Sequence, residues 1–178
     1  MKSFEKRSSK VMTTLSARLG DIARMFSLLE QEVAYLLSLL VNRADIQIGL
    51  IVAQRLSYSQ VLALIDDIAE KTEDETARAK VKDLIARLRE AGRLRNQAVH
   101  SVWGHLYSDD NIMIQLSRKG GTQKEQRHET RVLIRELARQ SKQVFGLYDE
   151  VNRMASERWF RGLPNTPSQG MPRSARQP

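Results

Sequence analysis

A chain of 178 residues, 41% of them hydrophobic, is long enough for one domain with a real core. It has no cysteine, which excludes disulfides, thiolate catalysis and cysteine-based zinc sites and suits a reducing compartment. The net charge is +8, but residues 1–10 and 161–178 carry +3 each and leave +2 for the body. Basic tails raise nonspecific affinity for phosphate without defining a site, so charge alone favours a nucleic-acid partner only weakly.

The N-terminus MKSFEKRSSK is polar and charged with no apolar stretch behind it, unlike a secretory signal. Apolar runs such as YLLSLLV fall well short of the roughly 20 residues a membrane span needs. The expectation is a soluble cytoplasmic protein with no membrane partner, whose residues 1–11 form a basic tail. Behind that tail, Leu15, Leu19, Ile22, Phe26, Leu29, Val33, Leu36 and Leu40 step by fours and threes, an apolar seam sustained for about four heptads. Such a seam fits a long helix buried in a bundle, or a coiled-coil face. Residues 42–56 are β-branched and broken by Gly49, and read equally as a short helix or an extended turn. The next helix spans about Ser57 to Lys71, capped by Ser57 or Ser59, with Val61, Leu62, Leu64, Ile65 and Ile68 inward. Glu73, Asp74 and Glu75 then read as an acidic helix start and not as a metal site, since they lack alternating ligands and a turn glycine.

The third helix is expected over Glu75–Val102, with Val81, Leu84, Ile85, Leu88, Ala91, Ala98, Val99 and Val102 on its buried stripe. Arg95 falls on that stripe, where a charge is costly unless it is paired or opens to a cleft. Arg89, Arg93, Asn96 and His100 form a neighbouring polar stripe, so Asn96 and His100 face the same way. Beyond Gly104, HLY, SDDN and IMIQL suggest a small β-hairpin near residues 105–117 that turns around Asp109 to Asn111. RKGGTQKEQR lacks the lysine and hydroxyl placement of a phosphate-binding loop and reads as a flexible basic loop. A final long helix, about His128–Arg158, carries a seam of Ile134, Leu137, Ser141, Val144, Tyr148, Val151 and Ala155. Residues 161–178, with all four prolines, read as a disordered tail.

The fold class expected is therefore all-α: an antiparallel bundle of four to five helices over residues 12–160, with a small β-hairpin inserted before the last long helix. A bundle whose later helix carries arginine, a polar residue and then histidine resembles the HEPN domain family, here through Arg95, Asn96 and His100 in RNQAVH. The Ser-Val-Trp-Gly that follows is also similar to members of that family. Arg93 competes for the arginine position, but Leu94 follows it where the family prefers a polar residue, which favours Arg95. On an ideal helix Arg95 and His100 lie about 140° apart. The resemblance implies that two protomers pair so that both motifs line one cleft. It also implies metal-independent cleavage of single-stranded RNA, leaving a 2′,3′-cyclic phosphate.

In that chemistry His100 exchanges protons, Arg95 holds phosphate oxygens with its planar fork, and Asn96 orients His100 or the scissile phosphate. Arg89, Arg93 and Trp103 are candidate RNA contacts, Trp103 being alternatively a packing residue. No metal and no other cofactor is expected: His105 and His128 lack ligand spacing with His100. A toxin, stress or defence component is implied, with an antitoxin or nucleotidyltransferase-like partner. The alternative is a noncatalytic RNA-binding, dimerisation or scaffold module.

Overall fold

The protein is described here by a computed structural model that covers residues 2–42, 45–71, 74–106, 109–119 and 122–156. Its elements in chain order are α1 (Lys2–Val41), α2 (Ile46–Ala53), α3 (Tyr58–Glu70), α4 (Glu75–Val99), β1 (Val102–Leu106), β2 (Asp109–Lys119), β3 (Thr122–Glu129) and α5 (Thr130–Ser156). The protein is mostly helical, with one small antiparallel sheet in the order β1-β2-β3. No helix among the described residues is long and apolar enough to cross a membrane. The expectation of a disordered tail over 161–178 lies outside the described residues.

α1 is a single rod of 40 residues, roughly 60 Å long at 1.5 Å per residue. It takes in residues 2–11, which the sequence assigned to a tail, because Val11 and Met12 continue the apolar side and pack against a buried cluster. The expected seam is buried, from Leu15 through Ile22, Phe26, Leu29, Val33 and Leu36 to Leu40, while Leu19 is half-buried. The ambiguous segment after it is helical. Asn42 Oδ1 accepts from Asp45 N at 3.1 Å, and Asp45 Oδ1 caps α2 by accepting from Gln47 N at 3.0 Å. Gly49 explains how α2 lies so close to α1: a Cβ there would sit 2.5 Å from the Ser38 backbone, so only glycine fits.

The other helix starts follow from local chemistry as well. Gln60 Oε1 reaches back to Ser57 N at 2.8 Å and Asp74 Oδ1 accepts from Ala77 N at 3.0 Å, satisfying N–H groups that a helix start leaves open. α4 ends at His100, earlier than the sequence suggested. Val99 and Val102, expected on its buried stripe, are 37% and 67% exposed, because the chain leaves the helix and enters β1 there. In α5 the buried line is Leu133, Leu137, Val144, Leu147, Val151 and Met154. Leu137, Val144 and Val151 of the expected seam are buried, while Ile134, Tyr148 and Ala155 are only partly buried and yield to their neighbours Leu133, Leu147 and Met154.

The expected hairpin is a three-stranded meander. β2 begins at Asp109, inside the expected turn, and the stretch read as a basic loop supplies β3. β3 pairs with β2 from Ile112↔Glu129 to Lys119↔Thr122. Its side chains from Lys124 to Arg127 are exposed, so the strand is held by its backbone ladder and has no apolar alternation to announce it. Two buried clusters result. The larger joins α1, α3, α4 and α5 around Leu29, Val33, Leu62, Ile65, Leu84 and Leu88. The smaller lies at the sheet end and joins Leu15, Ile22, Ala98, Met113, Leu133 and Leu137.

Candidate functional site

The last two turns of α4 cross from the larger cluster to the sheet end, and the motif residues sit at this crossing. Beneath Arg95 lies an aromatic floor. The Arg95 guanidinium carbon stands 5.5 Å over the Phe26 ring centre, and Phe26 meets Tyr58 edge-on at 5.0 Å. Gly92 leaves room for this pair, since a Cβ there would stand 3.1 Å from the Tyr58 ring. Tyr58 donates its hydroxyl to the Leu88 carbonyl at 3.2 Å. Burial, followed by the nearby Glu30 charge, pushes its ionisation far up, so the floor stays neutral.

Arg95 lines a pocket of about 420 Å3 between α4 and α5. Its Nη1 donates to Asn96 Oδ1 at 2.9 Å, whereas its Nε is buried without a hydrogen-bond partner. Two carboxylates share that pocket, and both are engaged elsewhere. Glu90 accepts from Arg93 at 2.6 and 2.7 Å, and Glu150 accepts two bonds from Arg87 at 2.7 Å each. Each acid is held below the ordinary carboxylate range, first by the hydrogen bond from its arginine and then by that charge. The Arg95 cation is therefore not neutralised by the acids around it.

Asn96 is the hinge of the set. Its Oδ1 is taken by Arg95, which leaves the Nδ2 amide group as its free end. One turn further on, His100 caps α4 through its backbone N–H to Asn96 O at 3.0 Å, and its side chain is exposed. Among the described residues no hydrogen bond, ion pair or ring contact joins the His100 side chain to Arg95 or Asn96. A single chain thus brings Arg95 and Asn96 together and leaves His100 beside them, unattached.

The expected RNA contacts are placed as follows. Arg89 donates to Asp66 Oδ2 at 3.0 Å, and Arg93 is tied to Glu90 and, at 3.4 Å, to Gln97 Oε1. Trp103 packs half-buried against the smaller cluster and donates Nε1–H to the Ala98 carbonyl at 2.9 Å.

The sequence reading missed a buried polar group at the sheet end. Gln115 is 2% exposed and stands on the same side of β2 as Met113. Its Nε2 reaches Ser101 Oγ at 2.7 Å and Gln97 O at 3.3 Å, and its Oε1 lies 3.0 Å from His128 Nε2. Burial lowers the proton affinity of His128 below the ordinary histidine value, and its ring stands 5.9 Å from Trp103. The alternation of β2 pointed the other way: its apolar phase is Ile112, Ile114 and Leu116, which are only half-buried, whereas Met113 and Gln115 are buried. A second pocket, of about 470 Å3, is lined by Trp103, Gln115 and His128. It adjoins the first, sharing Leu94 and Gln140 with it. Among the described residues no three histidine, aspartate or glutamate side chains gather as a metal set. Comparison with protein-family models, curated proteins and solved structures finds no match to this chain.

Proposed function

We propose that this protein is a HEPN-like endoribonuclease that cuts single-stranded RNA without metal, using Arg95, Asn96 and His100. The observation that carries the reading is the uncompensated Arg95 cation: it is pinned to Asn96 and Phe26, and the pocket's own acids are bound to other arginines. A phosphate oxygen is the natural complement of such a guanidinium. The Asn96 Nδ2 amide adds a second donor, and His100 lies one helical turn away on the same face.

In the reaction proposed, His100 takes the proton of a ribose 2′-hydroxyl as its oxygen attacks the adjacent phosphorus. The bond to the 5′-oxygen breaks and that oxygen takes a proton from water, giving a 2′,3′-cyclic phosphate and a 5′-hydroxyl, while His100 returns its proton to solvent. Arg95 and Asn96 stabilise the charge that builds on the phosphoryl oxygens. A second protomer completes the cleft. The exposed apolar side chains of Val99 and Val102, which flank His100, support pairing there.

The test is labelled RNA incubated with the protein in chelator. Wild type is expected to cut, leaving cyclic phosphate ends. His100→Ala is expected to lose about 10²- to 10⁴-fold in rate, the usual worth of positioned acid–base catalysis, with unchanged melting because His100 is exposed. Light scattering should report a dimer. The lack of any contact between His100 and Arg95 within one chain favours a second reading, a noncatalytic RNA-binding or dimerisation module. Intact RNA that binds equally well to wild type and His100→Ala would establish that reading and overturn the first.

A further inference from the structure

The arginines of α4 are matched by acids: Arg78 by Glu75, Arg87 by Asp83 and Glu150, Arg89 by Asp66, and Arg93 by Glu90. The outer face of α5 is built differently. Arg131, Arg135 and Lys142 are exposed, and none of them has a hydrogen-bond or ion-pair partner among the described residues. At about 100° per residue they fall within roughly 40° of one another, almost opposite the buried line of Leu133, Leu137, Val144 and Val151. Between Arg131 and Phe145 the one acid on α5 is Glu136, which accepts from Arg139 and Gln140. Glu129 before this stripe and Asp149 beyond it pair with none of its cations among the described residues.

Folding supplies no reason for this stripe. Arg131 stands in the first turn of α5, which holds no acid, at the end where the helix dipole repels a cation. Like charges four residues apart, as in Arg131 and Arg135, also weaken a helix. Two features flank the stripe. Phe145, three residues past Lys142, is 50% exposed and stacks on Tyr148 with ring centres 6.2 Å apart. Gly146, four residues past Lys142, lines the Arg95 pocket, and a Cβ there would meet nothing within 4 Å. Packing therefore does not require this glycine, although glycine inside a helix is disfavoured against alanine. Its bare backbone lets a ligand chain pass close to α5 between the stripe and the pocket.

We propose that this face of α5 is a track for single-stranded RNA, with backbone phosphates on Arg131, Arg135 and Lys142 and a base stacked on Phe145. Unpaired guanidinium and ammonium groups in a row complement a chain of phosphodiester oxygens. An exposed aromatic ring accepts the face of any base, so it reads an open strand and not a sequence. A duplex keeps its bases stacked on one another and gains nothing from Phe145. Beyond Gly146 the strand enters the pocket where Arg95 stands. That last step rests on the ribonuclease reading above, whereas the track itself does not.

The experiment follows, by fluorescence anisotropy, a short labelled oligouridylate made with 2′-O-methyl riboses, which holds no nucleophile for cleavage. The triple variant Arg131→Gln, Arg135→Gln, Lys142→Gln is expected to bind about ten-fold weaker, with a salt slope shallower by about 2, roughly 0.7 for each of three phosphates. Its melting should match or exceed wild type, because no native partner is lost. Arg78→Gln, Lys80→Gln, Lys82→Gln removes the same charge from α4 and should bind nearly as wild type does. Equal losses in the two triple variants would reduce the effect to net charge and overturn the proposal. Phe145→Ala should weaken the single strand about ten-fold and leave its duplex unaffected. An unchanged single-strand affinity would remove the base from Phe145 and overturn the track as drawn. An α5 triple variant that keeps RNA but loses vesicles of phosphatidylserine and phosphatidylcholine would give the face to a lipid surface, and also overturn it. If the uncut strand binds through the stripe while unmodified RNA stays intact, the ribonuclease reading falls and the track stands. If the α5 triple variant cuts RNA with unchanged kcat/KM, the track falls and the ribonuclease reading stands.

Discussion

The two buried clusters are built on different principles, although α1, α4 and α5 border both. The larger one is closed by interchangeable aliphatic side chains, with Leu29, Val33 and Leu37 fully inaccessible and Ser38 satisfied by its own helix through the Tyr35 carbonyl. The smaller has few apolar members and depends beside them on Gln115, which fixes Ser101, the Gln97 carbonyl and His128 at defined distances. Apolar burial is non-directional and supplies most of the stability. A satisfied polar network adds little net energy but permits only one arrangement. The chain places its generic packing in the larger cluster, whose Phe26 carries Arg95 at its edge, and its directional bonds where the end of α4 meets the sheet.

The largest effect should come from a cut in the larger cluster. Leu29→Ala, at a site with no exposure, is expected to cost about 2–5 kcal/mol by denaturant unfolding. A loss below 1 kcal/mol would mean that this cluster does not carry the stability assigned to it. Gln115→Leu sharpens the comparison. It nearly keeps volume and leaves His128 Nε2 without its Gln115 partner, for about 1–3 kcal/mol. The expected signature is local: faster amide exchange in β2, β3 and the last turn of α4, with the larger cluster still protected. Uniform acceleration through α3 and the N-terminal half of α4 would show that the two clusters are one unit.

The smallest effect is a dependence on pH. Burial depresses the His128 pKa below its unfolded value, so the unfolded chain binds more protons as pH falls. Stability should be full above the ordinary histidine pKa of 6.5 and decline as pH drops through the lower, folded value. The Glu150 carboxylate, lowered by Arg87, adds loss of the same sign only in the more acidic carboxylate range. Melting midpoints followed from pH 8 to pH 5 should thus slope downward in wild type and flatten in His128→Gln. A slope that persists in that variant would assign the effect to other groups.

Periodicity made the long helices legible. The α1 seam from Leu15 to Leu40 and the caps at Ser57 and Asp74 follow from spacing and side-chain chemistry alone. In α5 the expected Leu137, Val144 and Val151 are buried, but Leu133, Leu147 and Met154 take the places expected of Ile134, Tyr148 and Ala155, because α5 packs against both clusters, which widens its apolar face past one heptad line. β3 was hidden because TQKEQRHE carries no apolar face and is held by main-chain bonds to β2. At the candidate site, the Arg95–Asn96 pair and the helix-end position of His100 were visible as a motif. The partnership of Gln115 with His128 was not, since it depends on a strand register that places His128 opposite Met113.

The way α1 is covered has a consequence for synthesis. The inward face of its N-terminal half, at Leu15 and Ile22, is closed by Ala98, Met113, Leu133 and Leu137. The last of these partners belong to α5, which begins about 90 residues after α1 ends. At the ribosome's pace of roughly 5–20 residues per second, that face waits on the order of 5–20 s for its lid. During this interval a long, already helical apolar strip is open to water and to its neighbours. The nascent chain is then a natural client for a holding chaperone. Slow synthesis of the sheet region would prolong that exposure and cost yield without changing the stability of the finished fold.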